Sequence, residues 1–256
     1  GSCVNYGCTP TKTMVASARA AHMARRGPNF GVQTGEVEVD FQRVMERQNQ
    51  IRRAGSRGME DWLRGMKGVT VYPHYASFEG AHTVRVGDQT IRGETIVINA
   101  GGRPRVLPLE GLDQVDWLNN ARLLDLEEKP DHLVIVGGSY IGLEFAQIFR
   151  RLGSRVTVLE AGPQLMYRED ADIAQAAREI LESEGITIEV QAAVQQLAQP
   201  GEKRIKVNFQ QDGKLQQVEG SHLLLAVGRV PNTDRLNLEA AGVETDPGGY
   251  IKVNPV

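Results

Sequence analysis

The stretch VIVGGSYIGLEFA, residues 134–146, decides how the rest of the chain is read. Three apolar residues run into Gly137. Gly137, Ser139 and Gly142 then occupy the three positions of a G-x-G-x-x-G fingerprint, with Ser at the middle one. The pattern encodes a strand, a tight turn and a helix when its flanks agree. Here they agree: 133–136 reads as a buried strand, 140–152 as a helix, and 155–160 as a second strand ending on Glu160. Gly137 permits the turn, Ser139 is small enough to let a pyrophosphate approach the backbone, and Gly142 lets helix and strand pack closely. The helix N-terminus offers unpaired N–H groups and a partial positive charge to phosphates. Glu160 falls roughly 20 residues on, where a carboxylate accepts hydrogen bonds from the adenosine ribose and repels a 2′-phosphate. That favours NADH over NADPH. The plainer reading of Glu160 is a solvated strand end.

Outward from this motif the chain alternates. Residues 171–184 read as a helix, 186–190 as a strand, 203–209 and 216–219 as a hairpin around Asp212-Gly213, and 222–227 as another buried strand. Alternation of this kind predicts βαβ units and a parallel sheet. On the N-terminal side, 11–26 reads as a helix with Met14, Val15, Ala18, Ala21 and His22 on one side, ended by Gly27-Pro28-Asn29. A longer helix is expected over 40–66, with Asp40 as N-cap and Phe41, Val44, Met45, Ile51, Trp62 and Leu63 apolar. Runs at 69–78, 83–86 and 95–99 predict an antiparallel patch, and 101–120 reads as a connection.

The fold class expected is α/β: a Rossmann-type dinucleotide-binding domain at 113–230, with a parallel sheet and an antiparallel hairpin or meander. Residues 1–112 and 231–256 flank this domain.

Composition narrows the function. A formal net charge of −3 argues against a nucleic-acid protein. No apolar run is long enough to span a bilayer and no signal peptide is visible, so the expected setting is cytoplasmic. In that compartment structural disulfides are uncommon. Yet the chain has 2 cysteines, both in CVNYGCTPTK at 3–12. Zinc wants about four ligands, and the 5 histidines are scattered away from the cysteines, so a metal site is not expected. Redox activity is the sharper reading of Cys3 and Cys8; one structural disulfide or two inert thiols is the plainer one.

Glu144 poses a second question. It edges onto the apolar stripe of Ile141, Phe145 and Ile148, and a buried charge is costly unless paired. Either it snorkels out at the margin or a cation meets it, and Lys12 is a candidate. Hydride transfer and disulfide reduction are both two-electron events, and a flavin is the usual mediator between a nicotinamide and a disulfide.

At this point the residues carry a resemblance. CVNYGCTPTK, INAGGRP at 98–104, GGSYIGLEFA at 137–146 and AVGRVPNT at 226–233 resemble, in order and spacing, the class I flavoprotein disulfide reductases, a family that includes dihydrolipoamide dehydrogenase, glutathione reductase and mercuric reductase. The stretches TPTKTMVASARAAHMARR and VDWLNNARLLDLEEKPDHLVIVGGSYIGLEF are most similar to the mercuric-reductase-like branch. The resemblance implies FAD and NAD(P)H as cofactors and a small disulfide or metal-ion substrate. It implies that Cys8 faces the flavin and that Cys3 is the interchange thiol. It further implies that Lys12 sits near the flavin and pairs with Glu144, and that Tyr140 is a lid where the nicotinamide enters. Ala76, Ala100 and Gly101 match backbone positions that contact FAD. Gly137, Gly138, Ser139, Tyr140, Ile141 and Gly142, with Val194 and Gly228, match positions along the NAD site. The helix expected to start near Thr11 would lend its N-terminus to Cys8.

Family members open with a first FAD-binding fingerprint and close with a dimerisation domain carrying a His-Glu base. The sequence shows neither, so the resemblance implies a central segment of a longer homodimeric enzyme, with 1–112 an incomplete FAD-binding domain carrying the cysteine motif and 231–256 the start of a segment returning to it. The alternatives are a non-catalytic NAD(H)-binding module and a dihydrolipoamide-dehydrogenase-type enzyme.

Overall fold

In the computed structural model, residues 1–254 are described. The chain begins with two helices in succession, α1 (Ser2–Tyr6) and α2 (Cys8–Arg26), followed by the long α3 (Phe41–Gly65). Asp40 starts α3, as its sequence suggests: its carboxylate accepts from Arg43 N at 2.9 Å. Strands β1 (Ala76–Gly80), β2 (Thr83–Val86), β3 (Gln89–Arg92) and β4 (Gly102–Pro104) come next, then β5 (Trp117–Leu118) and α4 (Asn120–Leu123). The alternating part is β6 (His132–Val136), α5 (Tyr140–Leu152), β7 (Arg155–Leu159), α6 (Ala171–Ser183) and β8 (Thr187–Glu189). Strands β9 (Ala193–Gly201), β10 (Arg204–Gln211), β11 (Lys214–Gly220), β12 (His222–Leu225) and β13 (Arg229–Pro231) complete the order.

Two compact units divide the chain. The larger takes Ser2–Gly55 and Val106–Val227, so the cysteine helices and the glycine motif share one unit. Its centre is a five-stranded parallel sheet in the order β5-β12-β6-β7-β8. Both faces of this sheet are covered, which is why its central strands β6 and β12 are almost wholly apolar, HLVIV and HLLL. On β6, Leu133 and Ile135 join one cluster with Met14 and Ala18 of α2, Phe41 and Met45 of α3, and Phe145 and Phe149 of α5. Val134 and Val136 face the other way, against Leu197, Val207 and Phe209 of the antiparallel sheet β11-β10-β9. Three layers result: helices, parallel sheet, antiparallel sheet. Gln48, fully buried, ties α3 to this unit by donating to Leu124 O at 2.8 Å.

The smaller unit holds Ser56–Arg105 and the segment from Gly228 onward. It contains the antiparallel meander β1-β2-β3 and the antiparallel pair β4-β13. Leu236 O accepts from Phe78 N at 2.8 Å, and Arg235 stacks over the Tyr75 ring at 4.3 Å. No helix among the described residues is long and apolar enough to cross a membrane.

The fold is α/β, with the parallel sheet and the antiparallel elements in place. Local readings needed correction at three points. Residues 69–75 and 95–99 lie outside every named strand; the meander's third strand is 89–92. The hairpin around Asp212-Gly213 gains a third strand, β9. Ile51 and Trp62 of α3 are exposed, so its apolar stripe is covered only over the first turns, at Phe41 and Met45.

Candidate functional site

The glycine loop is built by exclusion. Gly137 closes β6 at φ 114°, and a Cβ there would lie 2.4 Å from Ala226 O. A Cβ on Gly142 would lie 2.1 Å from Gly137 O, so the loop folds directly onto the first turn of α5. Both positions need glycine: the first for conformation and space, the second for space alone. Ser139 is the N-cap residue of α5 in extended conformation, and its side chain makes no capping bond. The first turn of a 13-residue helix therefore ends at the carboxyl edge of the parallel sheet, where open α/β sheets bind ligands.

Glu160, at the end of β7, does not stand free at the rim. Its Oε2 accepts from Gly138 N at 2.6 Å and its Oε1 from Gly162 N at 2.7 Å. The carboxylate thus fixes the loop on which the fingerprint depends. Ile141 is half-buried and packs against the core cluster. Tyr140 is exposed, and its hydroxyl donates to Glu169 Oε1. That bond, aided by burial, raises the phenol above its ordinary pKa.

The cysteines stand as free, exposed thiols. Cys3 lies within α1, and Cys8 is the first residue of α2. The helix starts one turn earlier than Thr11, because Pro10 falls in its first turn, where no intrahelical N–H partner is needed. This reassigns the helix N-terminus. The backbone N–H groups of Cys8 and Thr9 point at Cys3 and favour its thiolate, whereas the Cys8 thiol, through its hydrogen bond and charge, disfavours it. The Cys8 contribution wins, and Cys3 is raised above the ordinary thiol value.

Four positions down α2, Lys12 Nζ donates to Glu144 Oε1 on α5. Glu144 is half-buried and Lys12 largely exposed, so the carboxylate sits at the margin of the apolar stripe with a cation brought to it from outside. The same two helices meet again lower down. There Arg25 donates to Arg151 O, and Glu184 accepts from Arg151 at 2.6 Å and 2.7 Å and lies 3.8 Å from His22.

In the smaller unit, Ala100 and Gly101 precede β4, and Asn232 spans both: its side chain donates to Ala100 O and its backbone N–H to Gly101 O, each at 3.0 Å. Gly228 O accepts from Arg105 N at 3.0 Å, placing it beside the same strand pair. Ala76 opens β1. Val194 lies on β9 of the larger unit, opposite Phe209. Three contributors escaped the sequence reading. Asn232 lies inside the quoted AVGRVPNT stretch and could have been taken from it. Gly162 and Glu169 lie in a segment without periodicity, and only its folded course brings them to the motif. Among the described residues, no group of three or more His, Cys, Asp or Glu side chains could hold a metal ion.

Comparison with known proteins places the chain in a family. All of residues 1–256 match the family described as pyridine nucleotide-disulphide oxidoreductase. A mercuric reductase of Streptomyces lividans is 35% identical over 99% of this chain and 54% of its own length. A dihydrolipoyl dehydrogenase of Cupriavidus necator is 32% identical over 99% and 54%. Among solved structures, the HOCl-induced flavoprotein disulfide reductase RclA from Escherichia coli superposes with a TM-score of 0.83 at 33% identity, over 99% of this chain and 54% of that one. The chain thus spans about half the length of the relatives it matches. It belongs to the pyridine nucleotide-disulphide oxidoreductase family.

Proposed function

We propose that the protein carrying this chain passes electrons from NAD(P)H, through FAD, to a Cys3–Cys8 disulfide and on to a disulfide or metal-ion substrate, as a mercuric-reductase-like enzyme. The observation that carries the reading is the Lys12–Glu144 bond, which fastens the helix headed by Cys8 to the helix headed by the glycine loop. Bound FAD would supply the two-electron relay between nicotinamide and disulfide. In this reading residues 113–230 form the nucleotide domain, 1–112 part of the flavin domain, and 231–256 the start of a return segment.

The residues fit a dinucleotide. The cradle at Gly137 and Gly142 is closed by backbone where any Cβ would intrude, and α5 presents its first turn above it. Glu160 has accepted two N–H bonds, and a carboxylate offers about four lone-pair sites, so ribose hydroxyls can still be received. NADH is the favoured donor, because a 2′-phosphate would meet the Glu160 carboxylate. For the flavin, Lys12 is the residue assigned in the larger unit, and Ala76, Ala100 and Gly101 are assigned separately within the smaller one.

The chemistry of the chain's own residues balances as follows. Two electrons cleave the Cys3–Cys8 bond and leave a thiol and a thiolate. The Cys3 thiolate attacks a substrate sulfur and expels one substrate thiolate. Cys8 gives its proton to the expelled thiolate and then attacks Cys3, restoring the disulfide and releasing the second substrate thiolate. The substrate gains two electrons in all. A divalent metal-ion substrate would instead be held by the two thiolates and would take up two electrons supplied by NAD(P)H through FAD, leaving the dithiolate unoxidised. The enzyme is read as cytoplasmic and as a homodimer. A second reading, with dihydrolipoamide as substrate, is favoured by relatives of that name matching at 32% identity.

Purified protein supplied with FAD should be yellow, and anaerobic NADH should bleach it while two thiols become titratable. Bound flavin with an unchanged thiol count overturns the electron path. Tighter calorimetric binding of NADPH than of NADH overturns the Glu160 assignment. Turnover with Hg(II) or with lipoamide separates the two substrate readings.

A further inference from the structure

The segment between β7 and α6 is a built strap, not a loose connection. Leu165 is buried in the core, and a Cβ on Gly138 would come within 2.7 Å of it. Met166 takes a left-handed conformation, φ 46°, and its N–H donates to Gly138 O at 2.9 Å. Glu169 N donates to Met166 O at 2.7 Å, and Gln164 Nε2 donates to Glu169 O at 3.1 Å. Gly138 is therefore held on both sides of its residue: its N–H by Glu160, its carbonyl by Met166. A residue outside glycine that accepts a left-handed backbone does so because its surroundings over-determine it. Here the surroundings are the buried Leu165 before it and the glycine loop beside it.

The strap delivers Glu169 to one place, the hydroxyl of Tyr140. Tyr140 is the first residue of α5, immediately after the loop that would cradle the pyrophosphate. Both side chains are exposed, so burial does not hold the phenol there; the hydrogen bond does. Arg168 and Tyr167 of the same strap also act on the phenol, and Arg168 lies over the Tyr167 ring at 5.5 Å.

We propose that Glu169 is a positioning residue of the dinucleotide site: it anchors the Tyr140 hydroxyl so that the ring stands across the approach to the glycine loop, and an entering nicotinamide nucleotide must break that bond. The proposal rests on the dinucleotide reading above. It adds a specific residue to it and gives the strap a task. A ligand that must first disrupt a closed arrangement binds more weakly by the fraction of time the site is open, and removing the anchor removes that penalty.

The test uses NADH as probe on the whole chain. Glu169→Ala should tighten NADH binding by about fivefold, the factor one net hydrogen bond sets. Tyr140→Phe should tighten it similarly, and the double variant should gain nothing over either single one. Glu169→Gln, which keeps an acceptor without the charge, should fall between. Independently, the phenolate absorbance that disappears in Tyr140→Phe should titrate at lower pH in Glu169→Ala than in the parent chain. A merely structural strap would give weaker NADH binding in Glu169→Ala, additive with Tyr140→Phe, and that result overturns the proposal. So does unchanged affinity. If the parent chain binds no NADH, the dinucleotide reading fails and this inference falls with it. The phenol titration would still report the Tyr140–Glu169 bond.

Discussion

Lys12 and Glu144 are 132 positions apart and bonded Nζ to Oε1 across the contact between α2 and α5. The pair's energetic weight is small, because the Lys12 side chain is 69% exposed. Exposed pairs contribute about 0–1 kcal/mol. Lys12→Ala should therefore shift the urea midpoint by less than about 1 kcal/mol. The same variant should slow NADH-driven thiol formation while leaving NADH affinity unchanged. A large stability loss with normal thiol formation would show that the pair serves folding alone.

Gly142→Ala tests the glycine loop. The new Cβ would meet Gly137 O at 2.1 Å, a backbone atom that cannot swing aside. Overpacking of this kind costs about 1–3 kcal/mol, and the displaced loop should lose NADH binding. Gly58→Ala is the control. It lies within α3 with open space at its Cβ, and alanine is the better helix former, so a gain of about 0.5–1 kcal/mol is expected. Calorimetry and thermal melting on the two variants read both effects.

Cys3 should alkylate more slowly at neutral pH than an ordinary exposed thiol, since its neighbour Cys8 holds its pKa above the ordinary value. Cys8→Ala removes that neighbour's thiol and leaves the Cys8 and Thr9 N–H groups in place. The pH midpoint for iodoacetamide labelling of Cys3 should move down. An upward move, read by mass spectrometry, would mean that the helix N-terminus does not favour its thiolate.

Acid should loosen the α2–α5–α6 junction. Burial pushes Glu184 up, but the paired Arg151 guanidinium outweighs it and holds the carboxyl below its usual range. A depressed carboxyl stabilises above its unfolded pKa, about 4.3, and that contribution is lost as pH falls through the folded value. His22 adds to the loss. Burial, with Arg151, lowers its pKa, so the unfolded chain takes up its proton first as pH drops below about 6.5. Glu184→Gln should cost about 3 kcal/mol at pH 7 and flatten the acid limb of stability. Denaturant midpoints at pH 7, 5 and 4 measure this; an unchanged slope would contradict it.

Legibility in the sequence followed locality. Helix α5 could be bounded to the residue, because a glycine loop opens it and Gly153, at φ 105°, closes it. Strands β6 and β7 were equally plain, since burial on both faces leaves mostly apolar residues, with Thr157 the buried exception. By contrast β9, AVQQLAQPG, has one fully buried side chain, Leu197, and contains a proline; it is a strand because β10 pairs with it. The run TIVIN at 95–99 reads as a strand, yet Val97 is 84% exposed and the segment joins no ladder. The Lys12–Glu144 pair was foreseeable because a carboxylate beside an apolar stripe asks for a cation. The bonds of Glu160, Glu169 and Glu184 were not, because each depends on the path of an aperiodic segment or helix end.

The position of β12 sets the order in which this chain can mature. It lies inside the parallel sheet, with Leu223 beside Trp117 on one flank and Val134 on the other. Of the five strands, this interior one is the last to be synthesised. Until it arrives, β5 and β6 cannot be bridged, and their facing edges remain unpaired. Long-range pairings of this kind make folding slow and leave nascent chains exposed to aggregation. A chain released before His222 would carry every residue of the glycine loop and both cysteines, and still lack the strand that joins the sheet into one piece.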